Sequence, residues 1–408
     1  MTAREYPVFT VTPKAERSLR AGHPWVYGEE VTAVEGAYQN GDMVDVVSNK
    51  GRYLGTGWVN DHSKIRVRII SRNANDTFDE AFFRRRVCYA LNYRKTVMGP
   101  VDYRCCRLIF GEADQFPGLT VDRFENILVT QVLSLGMERR KDWVYRALVE
   151  LLREDGEQID AIYERNDVAI RTLEGLEQGK GFYQMEGLKT DLSGHVTITE
   201  NRIKYDVDYM EGQKTGFFLD QKYNRQAAAK LARGRRVLDC FTHTGAFALN
   251  AAAAGAEHVT AVDVSAFALE LAAENGKRNG LTNLDYKCAD VFDLLTEMAK
   301  EKKCDYDYII LDPPAFTKSR ATAKNAYHGY KEINMKAMRL LPRGGYLATC
   351  SCSHFMTDEM FRKMLQEAAL DAGVTLRQIE ARQQAPDHPI LPEVPETDYL
   401  KFYLLQVV

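Results

Sequence analysis

Val237-Leu-Asp-Cys-Phe-Thr-His-Thr-Gly-Ala-Phe-Ala248 decides how the C-terminal half of this chain is built. An apolar run ends in Asp239, a short loop with one glycine (Gly245) follows, and an alanine-rich segment begins. Uninterrupted hydrophobicity marks a strand buried on both faces, and a short loop into a helix is how a parallel strand connects onward. A dinucleotide-binding turn would carry G-x-G-x-x-G, whose glycines admit a pyrophosphate to the helix N-terminus. Only Gly245 stands here, which argues against a nicotinamide-dependent dehydrogenase on the same sheet.

The alternation continues on both sides of this stretch. Strands are expected at Arg236–Cys240, His258–Asp263, Leu284–Ala289, Tyr306–Asp312 and Tyr346–Ser351. Helices are expected at Gly245–Ala254, Ala266–Asn279, Val291–Lys300 and Tyr330–Leu341. Buried strands alternating with amphipathic helices predict an α/β fold with a doubly wound, Rossmann-like parallel sheet over residues 198–408. Ligands on such sheets sit at the carboxyl ends of the strands.

Acids fall at those ends: Asp239, then Asp263 24 residues later, then Asp290. A lone strand-end aspartate is more often a helix cap; three on successive strand–helix units point to a ligand. S-adenosylmethionine has no phosphate but carries an amino acid, a sulfonium and a ribose. An acidic side chain with loop backbone groups, Asp239 with Phe241, Thr242, Thr244 and Gly245, suits it, while Asp263 can take its ribose hydroxyls as a double acceptor and Asp290 its adenine amino group. Upstream, Gln213–Arg225 reads either as a loop and capped helix or as a lid carrying Asp220, Gln221 and Arg225 over the cofactor.

Two further strand ends carry the chemistry. Asp312-Pro-Pro-Ala-Phe316 is a turn stiffened by two prolines that fixes an acid beside an aromatic ring. Pro313, Pro314, Phe316 and Lys318 are the candidate substrate contacts. Leu347-Ala-Thr-Cys-Ser-Cys-Ser-His-Phe355 ends a strand in Cys350 and Cys352. A thiolate adding to carbon 6 of a pyrimidine makes carbon 5 nucleophilic enough to take a methyl group. A carboxyl from Asp312 would stabilise the charge formed on addition. The bland alternative for both cysteines is that of small buried hydrophobes. No residue identifies itself as the base that removes the carbon 5 proton.

The N-terminal half differs in character. Residues 1–75 are β-rich and glycine-punctuated, suggesting a small barrel with a helix at 13–21, and residues 76–197 read as an α+β unit. Residues 1–72 hold ten Lys/Arg and eight Asp/Glu, net +2, against −3 for the 408-residue chain. Nucleic-acid binding would therefore rest on local basic faces. Arg17, Arg20, Lys64, Arg66, Arg68 and the run Arg84–Arg86 are the candidate phosphate contacts, with solvated surface charge as the alternative. Trp25, Tyr27 and Trp58 suit a barrel core. None of the eight cysteines has C-x-x-C spacing, so no metal site is expected. Without an apolar leader or an ~18–20-residue apolar run, the expected location is the cytoplasm.

Taken together these residues resemble the PUA-containing large-subunit ribosomal RNA methyltransferases that make 5-methylcytosine. The similarity runs nearly end to end, through Lys14–Trp25, Phe110–Arg123, Gly212–Arg225, Val237–Phe247, Asp312–Phe316, Gly329–Asn334, Ser351–Ser353, Pro386–Pro389 and Tyr399–Lys401. The resemblance implies an N-terminal PUA β-barrel domain for RNA, a central α+β domain and a C-terminal class I methyltransferase domain. It implies S-adenosylmethionine as cofactor, 23S ribosomal RNA as substrate and Cys352 as nucleophile, and leaves a homodimer open. Cys350, in a Thr-Cys-Ser context, looks like the nucleophile of the wider RNA cytosine-5 methyltransferases, so the register is open by two residues. Those relatives also carry a cysteine right after Pro-Pro, where Ala315 stands here. The alternative chemistry, methylation of a guanine or adenine nitrogen, needs no thiol.

Overall fold

The computed structural model describes residues 5–301, 304–317 and 319–408, the side chain of Arg320 excepted. They form two compact units. The first holds the chain up to Ile198 together with Val207–Leu219 and Pro386–Thr397; the second holds Thr199–Asp206, Asp220–Ala385 and Asp398–Val408. The expected barrel and α+β segments thus share one unit.

In the first unit a six-stranded sheet runs in the order Trp25–Tyr27, Ile65–Ser71, Tyr53–Val59, Met43–Ser48, Val8–Val11, Val31–Glu35. Its pairs are antiparallel except that between Val8–Val11 and Met43–Ser48. Alternation puts Phe9, Val11, Val44, Val46, Val67 and Ile69 into one core. The helix Pro13–Arg20 starts where Thr12 caps it, with proline in its first turn. Trp58 is buried, and a side chain at Gly136 would meet its ring at 2.0 Å, so Gly136 is the seat for that indole. A five-stranded sheet follows, with the helices Glu80–Val97 and Lys141–Glu154. Arg94, fully buried in the first of these, ion-pairs with Asp114 and donates to the carbonyl of Asp387 at 2.8 Å. Asp387 in turn accepts the Arg107 amide at 2.9 Å. The segment Pro386–Thr397, far along the chain, is thereby tied into this unit.

The second unit is a seven-stranded sheet. In chain order its elements are α1 (Lys222–Ala229), β1 (Arg236–Cys240), α2 (Ala246–Ala253), β2 (His258–Asp263), α3 (Ala266–Arg278), β3 (Leu284–Cys288), α4 (Val291–Glu301), β4 (Tyr308–Leu311), α5 (Ala323–Leu340), β5 (Tyr346–Ser351), α6 (Asp358–Ala372), β6 (Leu376–Arg382) and β7 (Lys401–Val407). The strand order is β3-β2-β1-β4-β5-β7-β6, with β1 to β5 parallel and β7 antiparallel to both neighbours. This is the sheet of class I methyltransferases. One face packs Val237, Val259, Ile310, Ala348 and Phe402 against the alanine-rich α2. The other packs Leu238, Ile309, Leu311 and Leu347 among residues of α4, α5 and α6. Strands β1, β2 and β5 have the expected bounds; α5 begins at Ala323 rather than Tyr330, and β4 spans only Tyr308–Leu311 of the expected 306–312.

Candidate active site at the strand ends

The chain turns from β1 to α2 in an unusual conformation. Phe241 (φ 64°), His243 (φ 51°) and Gly245 (φ 84°) are all left-handed, alternating with Thr242 and Thr244. For the two non-glycine residues this costs ~1–3 kcal/mol each, a strain found where a loop must present its backbone. Any side chain at Gly245 would be strained: the residue is left-handed, and a Cβ there would lie 2.7 Å from Leu249 Cδ1 and 3.0 Å from Ala272 Cβ.

Asp239 lies at the base of this loop, fully buried. Its Oδ2 accepts the Thr242 hydroxyl at 2.6 Å, while its Oδ1 is buried with no hydrogen-bond partner among the described residues. Burial raises the carboxyl to about 7, with Asp312 and Asp263 adding to the rise. A buried acceptor without a partner, surrounded by other acids, fits a cationic ligand, and the ammonium and sulfonium of S-adenosylmethionine are such groups. Asp263 accepts the His243 amide and the Ser265 amide, each at 2.9 Å, one on each oxygen. That leaves lone pairs on both oxygens for ligand hydroxyls. Asp290 is exposed and takes the amides of Phe292 (2.8 Å) and Asp293 (3.2 Å) on Oδ1, so it caps α4.

The three upstream candidates have different placements. Asp220 accepts the Tyr399 hydroxyl at 2.6 Å. Gln221 donates to Asp312 Oδ1 at 2.9 Å and is oriented by Asn224, whose amide donates to Gln221 Oε1 at 2.7 Å. Arg225 is committed elsewhere: it makes a two-pronged, fully buried ion pair with Glu200, at 2.7 and 2.9 Å. Glu200 was not read from the sequence as Arg225's partner, since nothing marks an acid 25 residues upstream as one.

At the end of β4, burial and then the nearby Asp220 raise the Asp312 carboxyl to about 6. Pro313 is buried and Pro314 exposed. Phe316 turns into the core, its ring 4.5 Å from that of Tyr330 and 5.7 Å from that of Phe292, with Gly329 against its edge. It is half-buried there and braces the turn. Lys318 lies outside the described residues.

The two cysteines are not equivalent. Cys350, the fifth residue of β5, is fully buried. Burial, then the Asp312 carboxylate, push its thiol well up. Cys352 comes after the strand has ended at Ser351, is partly exposed, and has its Sγ 4.0 Å from the carbonyl of Pro313. Residues two apart on a strand share a face, but Cys352 lies beyond the strand, so that relation does not tie it to Cys350. Lys401, which opens β7, is buried here and donates to the carbonyls of Ser353 (2.6 Å) and Tyr399 (2.8 Å). Only the sequence similarity of Tyr399–Lys401 pointed towards it.

Several basic candidates for RNA contact are occupied within the first unit. Arg84 pairs with Glu150 and Glu154, Arg85 with Asp76, and Arg86 donates to the Gln115 carbonyl and covers the Phe82 ring. Arg68 pairs with Glu112 and Glu174, and Arg66 with Asp61. Arg17, Arg20 and Lys64 are exposed, with Arg20 4.0 Å from Glu16. Trp58 is core; Trp25 and Tyr27 are half-buried. Among the described residues no helix is long and apolar enough to cross a membrane.

Comparison with known proteins agrees with this geometry. Residues 9–72 match the family model of a PUA-like domain, and residues 183–405 that of an S-adenosylmethionine-dependent methyltransferase. The chain is 40% identical over 401 residues to the ribosomal RNA large subunit methyltransferase I of Pseudoalteromonas atlantica, covering 98% of this chain and 99% of that one. It is 42% identical over 391 residues to the protein of that name from Aeromonas salmonicida, covering 95% and 96%. Among solved structures, a methyltransferase complexed with S-adenosylhomocysteine superposes with a TM-score of 0.82 at 21% identity, over 98% of this chain and all of that one. An S-adenosylmethionine-dependent methyltransferase fold from Streptococcus mutans gives 0.81 at 22% identity, with the same coverage. With an unsatisfied buried acid at the head of its sheet and relatives matched along nearly its whole length, the chain belongs to the ribosomal RNA large subunit methyltransferase I family of S-adenosylmethionine-dependent enzymes.

Proposed function

We propose that this protein methylates carbon 5 of a cytosine in large-subunit ribosomal RNA, with Cys352 as nucleophile. The observation that carries this reading is the position of Cys352: off the strand, partly exposed, beside the turn that holds Asp312. S-adenosylmethionine, when bound, supplies the methyl group as an electrophile. Asp239, Asp263 and the Phe241–Gly245 loop would hold it, and Asp290 stands as the candidate beyond the third strand.

The residues of this chain then have separate tasks. The Cys352 thiolate forms a bond to carbon 6 of the pyrimidine, and the carbon 5–carbon 6 π pair becomes available at carbon 5. Asp312, with its carboxyl raised to about 6, keeps a protonated fraction at neutral pH. In that form it donates to ring nitrogen 3 and spreads the charge that addition creates. Gln221 holds the same carboxyl from the other side. After methyl transfer a base removes the carbon 5 proton; the electron pair reforms the double bond and the thiolate leaves. The inward turn of Phe316 supports carbon over nitrogen as the target, because amino-methylases grip a base with an aromatic ring after their proline pair.

Replacing Cys352 and Cys350 separately by alanine tests the reading. Turnover should be lost in the first and largely kept in the second; full turnover in C352A refutes the covalent role of Cys352. Mass mapping of ribosomal RNA from a strain lacking the gene should show one missing 5-methylcytosine.

A further inference from the structure

Lys401 is a buried cation whose two hydrogen bonds among the described residues go to backbone carbonyls, those of Ser353 and Tyr399. Neither bond supplies the negative charge that usually accompanies a buried ammonium. Its place follows from topology. Strand β7 runs antiparallel to β5, and its first residue, Lys401, stands opposite Ser351. The antiparallel return thus brings a lysine to the carboxyl end of the parallel strands, where the chemistry lies. The bond to the Ser353 carbonyl ties that lysine to the residue after Cys352.

Resting on the reading of Cys352 as nucleophile, we propose that Lys401 is a positioning residue for it: the ammonium pins the turn that carries Cys352 and its charge stabilises the thiolate. The charged groups around Lys401 are Cys352 itself, Asp398 on the approach to β7, and Asp358 in the first turn of α6. Asp358 is engaged by the Tyr403 hydroxyl and by Arg362, and Asp398 by the Gln383 amide at 3.1 Å. From α5, the Tyr330 hydroxyl is buried near the end of β5 and is held un-ionised, chiefly by that burial. Burial lowers Lys401 to about 8, with Asp398 and Cys352 working against the fall. The ammonium is therefore the main form at neutral pH and is lost as pH rises through about 8. An ammonium next to a thiol favours its thiolate, the reactive form. The proton released on ionisation leaves to solvent through the exposed side of Cys352.

The test is the pH dependence of iodoacetamide alkylation at Cys352 in the full chain. It is read by mass spectrometry of the Cys352 peptide, because Cys288 is exposed and Cys88 and Cys304 are partly so. In the native protein the midpoint should lie below the ordinary thiol value of about 8.5. In K401M it should rise by about one unit, so that alkylation at pH 7 slows about tenfold, and K401R should restore most of the shift. A native midpoint at or above the ordinary value, or an unmoved midpoint in K401M, overturns the proposal. The first of these needs no variant, so the proposal stays testable if K401M does not fold. Turnover by C352A separates the two readings. An active C352A with a shifted midpoint in K401M refutes the nucleophile and keeps the coupling; an inactive C352A with an unmoved midpoint does the reverse.

Discussion

Acidification should weaken S-adenosylmethionine binding through Asp239. The carboxyl is raised to about 7 by burial and by Asp312 and Asp263, and its Oδ1 has no hydrogen-bond partner among the described residues. A cationic ligand group needs the carboxylate, so binding below that value must first expel a proton. With a carboxyl at about 7, roughly three quarters of sites are ionised at pH 7.5 and about 3% at pH 5.5. Affinity should therefore fall about 25-fold across that interval, or ~2 kcal/mol. The interval ends below the ordinary range of an α-amino group, about 7.7–8.0, so the ligand stays mostly protonated throughout. Isothermal titration calorimetry at several pH values, in two buffers of different ionisation enthalpy, gives both the affinity and the protons released. Release should approach one proton per site at the acid end. In D239N binding should be weak at every pH, without that slope. A flat affinity in the native protein, or the same slope in D239N, would refute the assignment of Asp239 as the acid that faces the ligand's cation.

Three further outcomes follow from other parts of the chain. Gly245→Ala forces a Cβ to within 2.7 Å of Leu249 at a left-handed position; it should cost ~1–3 kcal/mol, seen as a lowered Tm and weaker S-adenosylhomocysteine binding. Glu200→Gln strands the buried Arg225 guanidinium and should destabilise by ~3–5 kcal/mol, whereas replacing both partners by apolar residues of similar volume should recover most of the Tm. Arg84→Ala removes half-exposed ion pairs with Glu150 and Glu154; it should change stability by less than about 1 kcal/mol and leave the salt slope of RNA binding unaltered, while a reduced slope would return that arginine to the phosphate-contacting set.

The sequence makes the parallel half of the sheet legible for a physical reason. Strands β1, β2 and β5 are short apolar runs closed by a polar residue or a turn, so their bounds can be read directly. The antiparallel return was not legible. Leu376–Arg382 is a mostly exposed edge strand broken by a bulge, and its alternating charged residues look like a loop. Lys401–Val407 is almost wholly buried, but it begins with a charge, which argues against burial in any local reading. The early part of α5, Ala323–Gly329, lacks apolar periodicity and is held by the helix it leads into. The acids Asp239, Asp263 and Asp312 could be found because each follows an apolar run at or beside the end of its strand. The ion pairing of the basic run Arg84–Arg86 could not be read, because its partners, Glu150, Glu154, Asp76 and the Gln115 carbonyl, are distant in sequence or are backbone.

The choice between Cys350 and Cys352 shows what three dimensions add. In sequence the two are equal: both follow an apolar run, both have hydroxyl neighbours, and a spacing of two puts strand residues on one face. The end of β5 at Ser351 breaks that equality. Cys350 remains in the sheet, where a thiolate would face both desolvation and the Asp312 carboxylate, so it favours the neutral thiol. Cys352 lies past the end of the strand and is partly exposed, and the antiparallel strand delivers Lys401, bonded to the Ser353 carbonyl, to the same edge. A nucleophile needs access and a neighbouring positive charge, and a spacer needs neither. The same two-residue step thus separates a thiol held neutral beside an acid from one with access and a nearby cation, and that difference supports Cys352 as the residue that forms the bond to the pyrimidine.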